Sequence, residues 1–195
     1  MPFFDHFGFI ARWYDRTSPF TNRQKMVDVC NLPADGYLLD LGGGTGRVAF
    51  GLKDLSKHAI VADVSLGMLR QAQPKKGIIT VCAESEKLPF AEKVFDRIIM
   101  IDAFHHVAVQ QTTLTEMWRT LSSGGRLVIQ EPDIRDPFIK VLAFIEKILL
   151  MRSHFLDAEK IVAGIQKIAE YTHQKVDVEV KSVDRTIWII VDKTG

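Results

Sequence analysis

Asp40 stands two residues ahead of a run in which four of five positions are glycine: Gly42, Gly43, Gly44 and Gly46, broken only by Thr45. A chain that turns sharply from a strand into a helix needs positive φ angles and close backbone approach, which glycine supplies with least strain. Such a turn leaves helix N–H groups unpaired, where a bound molecule can meet them. A bare tight turn needs fewer glycines than this. The carboxylate sets the sign of the guest, since it repels a pyrophosphate and attracts an ammonium group. Asp63 follows Gly46 by 17 residues. It can accept hydrogen bonds from both hydroxyls of a ribose, or simply be a solvated turn residue. Glu84 lies beyond the next apolar run, within reach of an adenine amino group, a role that rests on position alone. Asp102, His105 and His106 form a third group. A histidine near its ordinary pKa can take a proton from an acidic carbon or a hydroxyl. The same pair can equally cap or pack the segment that follows.

The elements around these residues alternate between strand and helix patterns, which predicts a parallel sheet covered on both faces. Residues 37–41 form a short apolar strand that runs into the glycines, and Val48, Leu52 and Leu55 recur with helical spacing. A second strand spans 59–62 and ends at Asp63; Ser65 is a suitable N-cap for a short helix through Gln73. Strands follow at 78–82 and 97–101, the latter apolar enough to be buried on both faces. A helix marked by Leu114, Met117, Trp118 and Leu121 stops at Ser123-Gly124-Gly125, before a fifth strand at 126–130. Helical stretches at 138–151 and 157–171 precede an antiparallel pair, 176–183 and 187–191. The fold class is therefore α/β: a doubly wound, mostly parallel seven-stranded sheet with an antiparallel C-terminal pair and a helical lid inserted after the fifth strand. One domain covers 1–195, divided into a helical cap (1–36), a cofactor-binding core (37–133), a helical lid (134–175) and the strand pair (176–195). In such sheets ligands bind outside the carboxyl ends of the strands, where Asp40, Asp63, Asp102 and the two histidines all fall.

Taken in order, these segments resemble the class I S-adenosylmethionine-dependent methyltransferases, and within them the branch that includes the ubiquinone/menaquinone-biosynthesis C-methyltransferases. Asp40, Gly42, Gly44 and Gly46 match the family's D-x-G-x-G-x-G loop. Asp63-Val64-Ser65 with Met68-Leu69 resembles its D-x-S-x-x-M-L segment, and Glu84-Ser85-Glu86-Lys87-Leu88-Pro89-Phe90 its D-A-E-x-L-P-F stretch, with Glu in place of Asp. Phe95-Asp96 through His105-His106-Val107 is similar to the fourth strand and the turn beyond it. Trp118-Arg119-Thr120-Leu121-Ser122-Ser123-Gly124-Gly125 resembles R-x-L-K-P-G-G, with two serines replacing Lys-Pro. Phe9 to Asp15 is similar to the opening F-x-x-I-A-x-x-Y-D. The resemblance covers about Phe7 to Pro132 and implies S-adenosylmethionine as cofactor. Asp63 then holds the ribose; Val64, Met68, Glu84 and Ser85 line the adenine; Tyr14 closes over the cofactor; and Asp102 lies nearby. It implies direct in-line methyl transfer to a small, apolar acceptor, with His105 or His106 as base if one is needed. No metal is implied. The region after Pro132 matches no substrate-specific signature.

Composition narrows the partners. Lys and Arg number 25 against 24 Asp and Glu, a net charge of +1, and Lys75-Lys76 is the densest basic spot. Nucleic acid is disfavoured as the main partner, and Ile101-Asp102-Ala103-Phe104 lacks the N-P-P-Y pattern of base-amino methyltransferases. The two cysteines have no metal-type spacing; Cys82, in an apolar run, reads as a reduced core thiol, and a cytoplasmic setting is the default. No signal peptide and no membrane span are expected. The segment 138–151, apolar nearly all round, suits core packing, a lid or a homodimer contact. Two other readings stay open. Gly44 to Ala49 fits the dinucleotide pattern G-x-G-x-x-A, and Tyr171 to Lys175 has the Tyr-x-x-x-Lys spacing of nicotinamide-dependent oxidoreductases. A non-catalytic relative that binds adenosylmethionine would keep the same acids.

Overall fold

The computed structural model describes residues 6–17, 19–140 and 154–194. Its strands are β1 (Tyr37–Leu41), β2 (His58–Asp63), β3 (Ile78–Cys82), β4 (Phe95–Ile101), β5 (Leu121–Pro132), β6 (Lys175–Val183) and β7 (Thr186–Thr194). They form one sheet in the order β3-β2-β1-β4-β5-β7-β6. The first five run parallel, while β7 is antiparallel to both β5 and β6. The expected seven-stranded α/β sheet is thus present. Its order reverses between β1 and β4, so the loops after those two strands flank the crevice where open α/β sheets bind ligands.

The strands are apolar because both faces are covered. On one side α2 (Arg23–Cys30), α3 (Arg47–Leu52) and α4 (Leu66–Ala72) pack over Leu38, Val61, Ile99, Val128 and Trp188. On the other, α5 (Gln110–Thr120) and α6 (Ala158–Tyr171) pack over Leu39, Ile98, Met100, Leu127 and Ile189. Helix α1 (His6–Thr17) lies against α4, where Gly8 and Gly67 meet so closely that a Cβ on Gly67 would sit 2.4 Å from the Gly8 Cα.

Several local expectations are corrected. The glycine pair after α5 is not a turn outside the sheet. The chain passes from Thr120 straight into β5, Leu121 pairs with Phe95, and an irregularity precedes the Arg97–Arg126 pairing. Lys193, buried in β7, makes this possible. Its Nζ donates to the carbonyls of Trp118 and Leu121, both at 2.8 Å, and so caps the helix end with a cation. Cys82 is exposed rather than a core thiol, because β3 is an edge strand with one open face. Cys30 is the buried one, its thiol pushed up to about 12 by burial. The second half of the anticipated lid, α6, buries Ile161, Ile165 and Ile168 in the main core. Of the apolar segment 138–151, residues 141–151 lie outside the described ones.

Candidate cofactor and acceptor site

Three strands deliver acids to one edge of the sheet. Asp63, the last residue of β2, leans over the glycine loop: its Oδ2 accepts from Gly44 N–H at 2.8 Å and its Oδ1 from Ser65 N–H at 2.7 Å. Both oxygens of this carboxylate are thus turned toward the loops after β1 and β2. Ser65 caps α4 by accepting from Met68 N–H at 3.1 Å, which fixes Met68 beneath Gly44. Gly46 opens α3 with a φ of 70°, and a Cβ there would strike Ile78 Cδ1 at 2.7 Å, so this glycine serves packing as well as the turn. Gly42 is different: a Cβ would meet Ala103 Cβ at 2.7 Å, which brings the loop after β1 against the loop after β4.

Asp40 lies below the loop rather than at its lip. It is 1% exposed, and its Oδ2 accepts from Ala49 N–H at 3.1 Å, tying β1 to α3. Burial pushes its carboxyl up to about 7, opposed by that hydrogen bond and by Arg47, with Asp63 adding to the rise. Near neutral pH the acid is therefore only partly charged, and a cation above the loop would draw its proton off.

Asp102, just past β4, has a φ of 51°, a left-handed conformation that costs a non-glycine residue. Gln130 Nε2 donates to its Oδ1 at 3.1 Å. Burial, and then the neighbouring Glu131, raise its pKa, against Arg47 and His105. His105 is buried and His106 half-buried, their ring centroids 4.0 Å apart. His154 is exposed and reaches this region through its backbone, donating from N–H to the His105 carbonyl at 2.6 Å.

Past the ends of β2 and β3, Val64 is 40% exposed and Glu84 exposed. Ser85 accepts from Thr113 Oγ1 at 3.1 Å and donates to Glu86 at 3.0 Å. Arg119 holds the following turn by donating to the carbonyls of Leu88 and Phe90, a structural duty for the basic residue of the R-x-L stretch. Tyr14 lies under the Arg47 guanidinium, 5.7 Å from it.

Two further contacts position the site. Asp15 of α1 accepts from the Thr45 hydroxyl and from Lys75 Nζ, and Lys75 also donates to the Thr45 carbonyl at 2.6 Å, so α1 is fastened to the glycine loop. Glu131, at the end of β5, gathers the loop after β4. Its one sequence signal is that, like Asp40 and Asp63, it is an acid closing an apolar strand. Among the described residues no cluster of His, Cys, Asp and Glu could hold a metal, and no helix is long and apolar enough to cross a membrane. Tyr171 is 86% exposed and Lys175 opens β6, four strands from β1, so the Tyr-x-x-x-Lys spacing has no access to the glycine loop.

Residues 39–129 match the model of a methyltransferase domain family. The chain is 34% identical over 147 residues to a demethylmenaquinone methyltransferase of Corynebacterium urealyticum, an alignment that takes in 75% of this chain and 59% of that protein. It spans less than two thirds of the length of the curated relatives it matches. A methyltransferase from Aquifex aeolicus shares the fold, with a TM-score of 0.67 at 18% identity over 98% of this chain and all of that one. So does the [4+2]-cyclase SpnF, with a TM-score of 0.69 at 14% identity over 88% and 79%. The chain is similar to the class I S-adenosylmethionine-dependent methyltransferases, and its curated matches are demethylmenaquinone methyltransferases. The cofactor of that class is S-adenosylmethionine.

Proposed function

We propose that the chain binds S-adenosylmethionine over the glycine loop and transfers its methyl group to a small acceptor at the ends of β4 and β5. The carrying observation is Asp63, bonded to Gly44 N–H and near enough to Asp40 to raise its pKa. A glycine loop flanked by acids suits a cation and disfavours a diphosphate, which supports this reading over a nicotinamide cofactor. In it, Asp63 takes the ribose hydroxyls, and Val64, Met68, Glu84 and Ser85 surround the base. Gly42, Gly44 and Gly46 bring backbone close to the ligand, Asp102 faces its amino acid part, and Tyr14 covers it from α1. When bound, this cofactor supplies a methyl group already activated by the positive sulfur. The chain's own task is then alignment and exclusion of water. The fold alone does not decide the chemistry, since a cyclase shares it; the acids support a cationic cofactor.

For the acceptor we infer a small, largely apolar molecule. The relatives' printed name makes demethylmenaquinone the first to test, in its reduced form, where the ring carbon is nucleophilic. A cytoplasmic setting, a homodimer through 138–151 and the lack of a nucleic-acid partner belong to the same proposal. Light scattering on the purified chain checks the dimer, and a gel shift with duplex DNA or RNA checks the last. A thermal-shift comparison of S-adenosylmethionine, S-adenosylhomocysteine, NADH and NADPH tests the cofactor. A ligand at 100 times its Kd adds about 2.7 kcal/mol. Stabilisation by the first two alone is expected, and stabilisation by NADH or NADPH alone overturns the reading.

A further inference from the structure

Strand β5 ends on a carboxylate that meets four donors from one loop. Oε1 of Glu131 accepts from the N–H groups of Ala103 at 3.1 Å and Phe104 at 2.8 Å. Oε2 accepts from His105 N–H at 3.3 Å and lies 2.5 Å from His105 Nδ1. Glutamate and histidine are 5% and 4% exposed. The imidazole stacks on Phe155, centroids 4.3 Å apart and planes 12° from parallel, and packs against His106. Three backbone bonds suffice to fix the loop, so the fourth contact carries the information. An ionised carboxylate can only accept, and the ring nitrogen facing it must therefore hold a hydrogen. In the neutral ring that places the basic lone pair on Nε2.

We propose that Glu131 is a positioning residue for methyl transfer. It holds His105 in its Nδ1–H tautomer, so that Nε2 takes the proton given up by the acceptor. This rests on the methyl-transfer reading above. As the acceptor gains its new bond to the methyl carbon, its proton passes to Nε2 and on to water. The pair of that X–H bond stays with the acceptor, and the pair of the broken sulfur–methyl bond stays on sulfur. Of the two adjacent histidines, His105 is the base and His106 packs beside it.

The test combines a tautomer measurement with kinetics on the full chain. Long-range 1H–15N spectra of histidine-labelled protein should show His105 protonated at Nδ1 and bare at Nε2. Glu131→Gln keeps an acceptor oxygen for Ala103 and Phe104 but turns an N–H toward the ring, so the tautomer should reverse. With S-adenosylmethionine and a short-chain demethylmenaquinol, kcat of Glu131→Gln should fall about 100-fold. KM and cofactor affinity should stay within about threefold. His105→Gln should lose as much, and the double variant little more. If Glu131→Gln does not fold, the wild-type tautomer and His105→Gln decide. A wild-type ring protonated at Nε2, or unchanged kcat in His105→Gln, overturns the proposal. Failure of the wild type to transfer any methyl group while it binds the cofactor removes the function reading. An intact tautomer would then leave Glu131 as a loop anchor only.

Discussion

The two halves of the crevice are built by different means. Around β1 and β2, polar side chains bond to backbone 2 to 19 residues away: Asp40 to Ala49, Asp63 to Gly44 and Ser65, Ser65 to Met68. Around β4 and β5 the contacts span 26 to 28 residues, from Glu131 to Ala103, Phe104 and His105, and from Gln130 to Asp102. The first half is a rigid cradle whose shape follows from a short stretch of chain. The second is a loop held from across a strand junction, which leaves its residues free to vary while the anchor stays. A cofactor shared by many enzymes needs the first kind of site, and an acceptor particular to one needs the second.

The largest effect should come from removing the cradle's ribose acid. Asp63→Ala deletes the carboxylate proposed to meet the ribose hydroxyls, and a hydrogen bond to a charged group is worth about 1.5–3 kcal/mol. Titration calorimetry should find S-adenosylmethionine weakened more than about 100-fold, with folding cooperativity retained. Unchanged affinity would show that the cradle does not hold the ribose. Next comes the loop's packing. Gly46→Ala must adopt a φ of 70° and push into Ile78 Cδ1 at 2.7 Å, a loss of roughly 2–4 kcal/mol in urea unfolding. Gly44→Ala meets nothing closer than Met68 Sδ at 3.7 Å and should cost only the positive φ, about 1–2 kcal/mol, while weakening the cofactor. Equal stability losses would break the distinction between the packing glycine and the ligand-facing one.

Asp40 sharpens the comparison through pH. Its carboxyl ionises near 7 in the folded chain against an ordinary 3.8, chiefly because burial disfavours the charge. The unfolded chain gives up that proton first, so the folded state loses stability as pH rises from about 4 to about 7 and then levels off. Asp40→Asn removes this loss. The variant's stability relative to wild type should improve by about 1–4 kcal/mol between pH 4 and pH 8 in denaturant titrations. A cation bound above the loop should release part of a proton from the wild type at pH 6.5, seen as buffer-dependent heat. A variant gain that is flat across pH would place the charge elsewhere.

What could be seen in the sequence divides along the same line. The glycine run, Asp63 and the Ser65 cap are local patterns, and the described residues place them in contact. The strands themselves are legible as short apolar runs bounded by turn residues, whereas their order in the sheet is not a local property. Cys82 was misplaced because an apolar run does not say whether its strand is central or at the edge. Ser123-Gly124-Gly125 reads as the helix stop, yet α5 ends at Thr120 and its cap comes from Lys193, more than 70 residues away. Glu131 went unseen as an anchor for the same reason: its partners lie on another strand's loop, and no spacing rule joins them.

The smallest effect should come from the fastening of α1. Lys75 donates to Asp15 and to the Thr45 carbonyl, both at 2.6 Å, with its side chain 20% and that of Asp15 42% exposed. A pair this close to water is worth about 0.2–1 kcal/mol and is screened by salt. Lys75→Met keeps most of the stem and loses the charge. Cofactor affinity should fall about two- to fivefold at low ionic strength, and the difference should shrink toward nothing near 1 M salt. Dissociation should quicken more than association slows, because the latch acts on a cofactor already seated. Should the variant bind as tightly as wild type at low salt, the Asp15–Thr45 bond and the packing of α1 on α4 at Gly8 and Gly67 hold α1 without the Lys75 latch.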